Sequence, residues 1–400
     1  GLKPDLPALQ HIIVVGGTGD NSFEKLLSGP KWEEAPDARE ILTRHRPGPD
    51  DIMQLIYTSG TTGEPKGVMH SANTTMANII PYAERMRLGA EDVILMASPM
   101  AHQTGFMYGL MMPLMLRASA VLQDIWDPKK AVELIRGEGV TFTMASTPFL
   151  TDLAKGVAES GQGVPSLRTF LCAGAPIPGP LVENARKVLG AKIVSAWGMT
   201  ENGAVTLIAL DDDDERAFST SGCPLPGVEI RVVGADEKNL PNGTEGRLLV
   251  RSCSNFGGYL RRPHLNNTDR QDWFDTGDLA EIDDRGYVRI TGRSKDVIIR
   301  GGENIPVVEI ETLLYKHPAI NQVAIVAYPD ERLGERGCAV VVPKPGQAID
   351  LVAMVDFLKS HKVALQYIPE RLLMLEQMPA TPSGKIQKFK LREIVKQAAG

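Results

Sequence analysis

The sequence has few features of a metalloprotein, an extracellular protein or a membrane protein. Its four cysteines stand far apart, without the spacing of zinc or redox sites, which favours a reduced, cytoplasmic protein. No segment of the sequence has the pattern of a signal peptide. The longest apolar run, residues 106–116, contains Pro113 and ends at Arg117, so no stable membrane insertion is expected. The net charge of −6 does not favour nucleic acid as a partner. What remains is a chain of 400 residues, 43% hydrophobic, long enough for a large core and more than one domain.

Residues 57–68, YTSGTTGEPKGV, form the most informative stretch of the chain. They follow an apolar run, residues 51–57, which we expect to be a buried strand. A loop of small residues leaves its backbone N–H groups free to point at one target, and hydroxyls with a lysine suit a polyphosphate. A flexible Ser/Gly linker is the alternative, but a linker needs no cation such as Lys66. The residues predicted to bind phosphate are Thr58, Ser59, Gly60, Thr61, Thr62, Gly63 and Lys66.

The loop is not that of a P-loop ATPase, because Lys66 is followed by Gly67 and not by a hydroxyl residue. Beyond it, strand-like and helix-like segments alternate up to about residue 200, which predicts a mostly parallel α/β sheet with ligands at the carboxyl ends of its strands. Residues 222–294 read as β-rich, with Asn242-Gly243 as a hairpin signal. The pattern of residues 295–400 predicts a small α+β unit.

Residues 57–68 resemble the signature loop of the adenylate-forming enzymes, which include acyl-CoA synthetases, adenylation domains of nonribosomal peptide synthetases and firefly luciferase. Further motifs extend the resemblance from about Asp51 to the C-terminus. It implies a large domain over residues 1–294 and a small mobile lid over residues 295–400, with a hinge at Lys295. Since the signature loop lies farther from the N-terminus in this family, we expect the chain to lack the first part of its large domain.

The resemblance also implies roles for residues outside the loop. In the motif W-G-M-T-E, it assigns Thr200 to a phosphate and Glu201 to Mg²⁺, a cation that prefers oxygen ligands. The predicted catalytic residues are Lys385, in the string PATPSGK, together with Thr200, Glu201 and His102. The implied nucleotide contacts are Gly174, Ala175, Pro176, Trp197 and Gly198 for adenine, Asp278 for ribose, and Arg293 for ribose or phosphate. The implied coenzyme A contacts are Gly301 and Gly302.

His102 and the residues after it bear on the identity of the acid. Acyl-CoA synthetases have a histidine here, at the floor of the acyl pocket, whereas relatives that activate amino acids place an aspartate in this region. Residues 102–122 contain no aspartate. The methionines that follow could shape an adaptable apolar pocket, and core packing explains them equally well. They are Met107, Met111, Met112 and Met115.

The sequence therefore predicts an acid:CoA ligase that uses ATP, Mg²⁺ and coenzyme A, most like a ligase for medium-chain fatty acids or cyclohexanecarboxylate. One alternative is an adenylation domain that loads an aryl or amino acid onto a carrier protein. Another is a catalytically incomplete nucleotide-binding fragment.

Lys385 also resembles lysines that an acetyltransferase and a deacetylase modify in relatives, and the chain could form a homodimer. The sequence departs from the family pattern in two places. After residues 301–305 it has Pro306, Val307 and Val308, where a different local turn is expected, and it has Leu365 and Tyr367 where relatives have lysines.

Overall fold

The computed structural model describes residues 8–29, 31–58, 65–174, 177, 179–294, 296–301, 303–381 and 384–398. Contacts divide the chain into two compact units, Gly1–Asp51 and Ile52–Gly400. The first unit contains helices α1 (Phe23–Leu27) and α2 (Ala38–Arg44) and a 3₁₀ turn at Trp32–Glu34. Helix α1 begins after Ser22, whose hydroxyl accepts a hydrogen bond from the backbone N–H of Lys25. All elements below belong to the second unit.

The signature loop connects two strands, β1 (Ile52–Thr58) and β2 (Lys66–Ser71), which pair in antiparallel fashion. The expectation of a fully buried strand before the loop is wrong. In β1 only Gln54 and Ile56 are buried, whereas Ile52, Leu55 and Tyr57 are exposed. Successive side chains of a strand point to opposite faces, so an antiparallel sheet can bury one face and leave the other uncovered.

A seven-stranded sheet forms the centre of the second unit, in the order β4-β3-β5-β6-β7-β8-β9. The first five strands in this order are parallel and the last two are antiparallel. Apart from the exposed edge strand β4, the parallel strands are mostly buried, and every residue of β5 is buried. The strands are β3 (Val93–Met96), β4 (Ser119–Leu122), β5 (Phe142–Ala145), β6 (Thr169–Ala173), β7 (Lys192–Met199), β8 (Gly203–Leu207) and β9 (Cys223–Pro224).

Helices cover both faces of this sheet. One core cluster joins the sheet to helices α6, α7 and α8, and a second joins it to α3 and the π-helical turn. The helices are α3 (Ala72–Arg85), α4 (Gln103–Phe106), a π-helical turn (Met107–Met111), α5 (Met112–Leu116), α6 (Pro128–Glu138), α7 (Thr147–Ser160), α8 (Gly179–Leu189) and α9 (Arg216–Ser219).

The ends of these helices follow from local sequence. Ser71 and Thr74 form a reciprocal capping box at the start of α3. Asp127 caps α6 ahead of Pro128, and Gly139 ends that helix in the left-handed conformation at φ 66°.

The β-rich segment forms an antiparallel four-stranded sheet in sequence order: β10 (Val228–Val233), β11 (Gly246–Ser252), β12 (Phe274–Ile282) and β13 (Val288–Arg293). The predicted pairing of β10 with β11 is confirmed. The connection is longer than a tight hairpin, however, because residues 234–245 form a loop between the two strands.

The C-terminal α+β unit has five strands, with β15-β14-β17-β16 in order and β18 parallel to β17. Helices α10 and α11 pack on one core cluster and α12 on another. The strands are β14 (Ile298–Arg300), β15 (Glu303–Ile305), β16 (Ile320–Asp330), β17 (Gly334–Pro343) and β18 (Arg371–Met374), and the helices are α10 (Val307–Leu314), α11 (Leu351–Ser360) and α12 (Lys388–Gln397).

The predicted fold class is confirmed: a large α/β part with parallel-rich sheets and a β-rich subdomain precedes a small α+β part. The boundary between residues 294 and 295 stays a prediction, and Lys295 lies outside the described residues. Within the part of the chain that the structure describes, no helix has both the length and the apolar content needed to cross a membrane.

Two glycines with similar backbone conformations but different surroundings test this packing. Gly222 has φ +83°, and a Cβ there would lie 2.0 Å from the carbonyl carbon of Leu207. Gly227 has φ +80°, with nothing within 4 Å of its would-be Cβ. We expect Gly227→Ala to lower the free energy of unfolding by about 1 kcal/mol through backbone strain, and Gly222→Ala by about 3 kcal/mol because overpacking is added. Urea unfolding followed by circular dichroism measures both, and equal losses would contradict the close approach.

Candidate active site

The site lies at the carboxyl ends of β6 and β7. Gly174, at the end of β6, has φ +95°, a conformation that favours glycine. Gly198, near the end of β7, lies against the turn into β8, where a Cβ on it would be 1.9 Å from the carbonyl oxygen of Gly203. Ala175 and Pro176, also predicted to contact adenine, lie outside the described residues.

The turn after β7 carries Thr200 and Glu201, and a buried histidine holds it. His70 Nε2 lies 2.7 Å from the carbonyl oxygen of Thr200, and Nδ1 lies 3.0 Å from the Thr74 hydroxyl. Burial lowers the pKa of His70, which favours the neutral ring. The Thr200 carbonyl can only accept, so these contacts assign the proton to Nε2. Sequence reasoning missed His70, although a histidine inside the apolar strand β2 was a usable signal.

Glu201 is buried and belongs to a chain of three polar side chains. The Tyr259 hydroxyl donates to Glu201 Oε1 at 2.7 Å and accepts from Lys66 Nζ at 2.9 Å. The Lys66 ammonium also lies 4.1 Å from the centre of the Tyr259 ring. Burial, and next the Glu201 carboxylate, raise the pKa of Tyr259 well above its ordinary value, so the phenol keeps its proton. The structure therefore brings together Lys66 and Glu201 as predicted, through a tyrosine that sequence reasoning missed.

Asp278, predicted to bind ribose, is fixed through both of its oxygens. The Trp197 indole N–H donates to Oδ2 at 2.8 Å, and Arg293 Nε lies 3.1 Å from Oδ1. Asp278 and Arg293 face each other across β12 and β13. A carboxylate has about four lone-pair sites, so these contacts leave acceptor capacity for hydroxyl groups.

Trp197 has a structural function that the sequence did not indicate. It is 8% exposed and packs in a cluster with Val205, Leu248 and Val288. Its indole N–H is used by Asp278, so the residue links β7 to the four-stranded sheet. Stacking on adenine stays a prediction, and little of the ring is open for it.

Lys385 stands on a short loop that reaches the strand ends. The loop is closed by a bridge between Ala380 and Ile386 and by a 2.9 Å hydrogen bond from the Thr381 N–H to the Lys385 carbonyl. Gly384 has φ +80°, and a Cβ there would lie 2.9 Å from Ser146 Oγ, so the loop lies close to the start of α7. The C-terminal unit thus contributes a cation to this edge of the sheet.

The surroundings of Lys385 lower the pKa of its ammonium to about 8. Loss of hydration is the main cause, and Arg293 adds to it, whereas Asp278, Glu201 and Asp296 act in the opposite direction. The residue is still exposed, so the cleft displaces only part of its water.

His102 begins helix α4, where Nδ1 accepts a 3.2 Å hydrogen bond from the Thr104 backbone N–H. Burial, and next the Lys385 ammonium, lower the pKa of His102, which favours the neutral form. Of the four methionines after it, Met107 and Met112 are fully buried core residues. Packing is therefore the correct interpretation for these two, and only Met111 and Met115 are partly exposed.

Thr58 ends β1 beside Lys66, with its hydroxyl 3.5 Å from the Lys66 carbonyl oxygen, and so borders this cluster. Gly301 lies in the turn between β14 and β15, where its N–H donates to the Leu333 carbonyl at 2.8 Å. The predicted residues outside the described part are Ser59, Gly60, Thr61, Thr62, Gly63, Lys295 and Gly302.

The donor set fits Mg²⁺ better than a metal held entirely by protein. Across the described residues, no group of three or more His, Cys, Asp or Glu could hold an ion. Glu201 offers one carboxylate, with only Oε1 hydrogen-bonded by a described residue. Mg²⁺ is commonly bound through one or two carboxylates together with substrate phosphates, and Glu201 fits the part of such a carboxylate.

Comparisons with known proteins place the chain in a family. A family model described as AMP-binding enzyme matches residues 2–260, and one described as AMP-binding enzyme C-terminal domain matches residues 309–385. A medium-chain fatty-acid–CoA ligase of Escherichia coli (strain K12) is 38% identical over 395 residues, which are 98% of this chain and 69% of that protein. A salicylyl-CoA synthase / salicylate adenylyltransferase of a Streptomyces species is 34% identical, covering 99% of this chain and 72% of that one.

Among solved structures, ATP-bound MatB from Rhodopseudomonas palustris superimposes with a TM-score of 0.82 at 31% identity, over 88% of this chain and 70% of that one. The o-succinylbenzoate-CoA synthetase of Bacillus subtilis, in complex with its acyl-adenylate intermediate, gives a TM-score of 0.78 at 27% identity. Fold, site geometry and sequence identity thus lead to one assignment: the chain belongs to the family of AMP-binding enzymes.

Proposed function

We propose that the chain is an AMP-forming acid:CoA ligase. In the first step a carboxylate oxygen attacks the α-phosphorus of ATP, the bond to the β-phosphate breaks, and pyrophosphate leaves. In the second step the coenzyme A sulfur attacks the acyl carbon, AMP leaves with the bonding electrons, and the thiol proton passes to water. The observation that carries the proposal is the convergence of Lys66, Glu201 and Lys385 with Asp278 and Arg293 at one sheet edge.

The residue types suit the first step because two anions have to meet. Lys66 and the loop before it would hold the β- and γ-phosphates, and Thr200 an adjacent phosphate oxygen. Lys385 would lie between the carboxylate and the α-phosphate, stabilising charge that develops in the transition state. Mg²⁺ bound to Glu201 would neutralise phosphate charge.

Asp278 and Arg293 would orient the nucleoside. Their mutual contact, and the Trp197 indole bond, fix the carboxylate before ribose arrives. Such preorganisation lowers the entropy lost when the nucleotide binds.

For the acid, we propose a medium-chain or alicyclic carboxylic acid. The name of the Escherichia coli relative supports this choice, as do neutral His102 and the absence of aspartate from residues 102–122. The second candidate is an aryl acid, which the name of the Streptomyces relative favours. In that case the alternative reaction is adenylation of the aryl acid, followed by its transfer to a carrier protein instead of coenzyme A.

A panel of acids separates these candidates. Octanoate, cyclohexanecarboxylate, salicylate, acetate and an amino acid would each be incubated with MgATP, with and without coenzyme A. We expect ATP–pyrophosphate exchange and a thioester, identified by mass, to be strongest for the first two acids. A preference for salicylate would transfer the proposal to aryl acids, and no exchange with any acid would contradict the ligase.

For the second step, we propose that the C-terminal unit rotates about Lys295. In this mechanism Lys385 would lie where coenzyme A has to approach the acyl carbon, so its loop would have to leave after the first step. Gly301 and Gly302 would then face the pantetheine arm, since glycine allows close backbone approach.

Two variants should separate the half-reactions in opposite ways. Lys385→Ala is expected to raise the activation free energy of adenylate formation by about 3–4 kcal/mol, comparable to the loss of an oxyanion donor. The same change should affect the attack of coenzyme A on a preformed adenylate much less. Lys295→Pro should spare adenylate formation and block thioester formation, because a fixed φ opposes rotation. Single-turnover measurements of each step test both, with Lys390→Ala as the control on an exposed lysine of α12. Equal losses in both steps for either variant would contradict its assigned role.

The pKa of Lys385 predicts a descending limb in the pH profile. The ammonium is the required form, so kcat/KM of the free enzyme for adenylate formation should fall about tenfold per pH unit above pH 8. Lys385→Arg keeps a positive charge at all accessible pH values, so its profile should lack this limb even if its rate is lower. Persistence of the same limb in the arginine variant would assign it to another group.

A further inference from the structure

Tyr259 occupies a position between two opposite charges of the site. Its hydroxyl accepts from Lys66 at 2.9 Å and donates to Glu201 at 2.7 Å. Lys66 and Glu201 both hydrogen-bond the Tyr259 hydroxyl, and among the described residues the two do not form a direct ion pair with each other. The phenol oxygen therefore stands where a direct contact between ammonium and carboxylate would otherwise form.

The backbone around Tyr259 holds the ring in this place. Tyr259 forms an isolated bridge with Val68 of β2, and Leu260 N–H donates to the Gly67 carbonyl at 2.8 Å. The Tyr259 N–H donates to Asn266 Oδ1 at 3.0 Å, and the ring packs edge-on against Phe256 at 4.8 Å. Tyr259 is 4% exposed. The hydroxyl is thus delivered by a fixed ring next to the strand that carries Lys66.

We propose that Tyr259 is a positioning residue that keeps Lys66 and Glu201 apart, so that both charges stay available to a magnesium-bound polyphosphate. This inference rests on the proposed function, which assigns phosphate to Lys66 and magnesium to Glu201. The phenol uses one oxygen of Glu201, and no described residue hydrogen-bonds the other, Oε2. Tyr259, acting as a spacer between Lys66 and Glu201, thereby sets which carboxylate oxygen would face the metal.

The physical reason lies in the strength of the contact that Tyr259 prevents. In a partly buried site, an ammonium in direct contact with a carboxylate is stabilised far more than in water. Such a pair would neutralise Glu201 and compete with Mg²⁺ for it. A neutral hydroxyl that donates to one partner and accepts from the other satisfies both charges without cancelling either.

The test is Tyr259→Phe, which keeps the ring but removes the hydroxyl. Calorimetric titration of ATP at increasing Mg²⁺, without acid or coenzyme A, measures binding independently of turnover. We expect the Mg²⁺ concentration for half-maximal ATP affinity to rise about ten- to a hundredfold, the size expected when a hydrogen bond to a charged group is lost. ATP affinity at saturating Mg²⁺ should change little.

Tyr287→Phe is a matched control away from the site. The Tyr287 hydroxyl donates to Asp212 at 2.6 Å, its ring lies 4.2 Å from the Arg216 guanidinium carbon, and it is 7% exposed. Tyr287→Phe therefore loses the same kind of phenol–carboxylate hydrogen bond as Tyr259→Phe. Its melting temperature should fall by a similar amount. Its Mg²⁺ requirement should equal that of the wild type.

A second background makes the test specific. In Lys66→Met the ammonium that Tyr259 keeps away from Glu201 is absent, so adding Tyr259→Phe should raise the Mg²⁺ requirement much less than it does in the wild type. An unchanged requirement in Tyr259→Phe, or the same rise in both backgrounds, would overturn the spacer role while leaving the ligase proposal intact. Wild-type protein that binds no ATP at any Mg²⁺ concentration would overturn both.

Discussion

The hydrogen bond from His70 Nε2 to the Thr200 carbonyl is the contact on which the geometry of the site most depends. It ties β2, which carries Lys66, to the turn that carries Thr200 and Glu201. The turn is also held from the other side, since Asn78 Nδ2 donates to the Ala204 carbonyl at 2.8 Å and Tyr108 accepts from the Ala204 N–H at 2.8 Å. Because His70 is buried and neutral, this link does not depend on a charge that the substrate would disturb.

The charged groups of the site come from distant parts of the chain. Lys66 and Glu201 are separated by a phenol, and Lys385 reaches the cleft without a direct ion pair to Glu201. Asp278 and Arg293 do pair, but the aspartate keeps acceptor capacity beyond that contact. A site for a polyanion and a metal needs this arrangement, because charges that neutralise one another contribute little to binding either.

The fold class was predicted correctly from the sequence, and the structure brings Glu201 and Lys385, two residues whose chemistry is visible locally, to one cleft, while their roles stay predictions. Sequence reasoning failed where the outcome depends on which segments meet. Lys66 and Tyr259 are 193 residues apart, and nothing near Tyr259 in the sequence indicates that its hydroxyl contacts a lysine. The run before the signature loop has the composition of a buried strand, but it forms a two-stranded sheet with one exposed face. Composition sets the propensity of a segment, whereas its neighbours decide its burial.

The position of Lys385 connects the two proposed steps through electrostatics. In the arrangement described, its ammonium lies near Arg293, and this like charge disfavours protonation. A bound triphosphate would offset that repulsion, since both cations would then face anionic oxygens. Loss of pyrophosphate removes part of the compensation and leaves two cations near one remaining phosphate. Under the proposed mechanism, the release of pyrophosphate therefore weakens the contact that holds the Lys385 loop in place. This happens at the stage when coenzyme A needs the space.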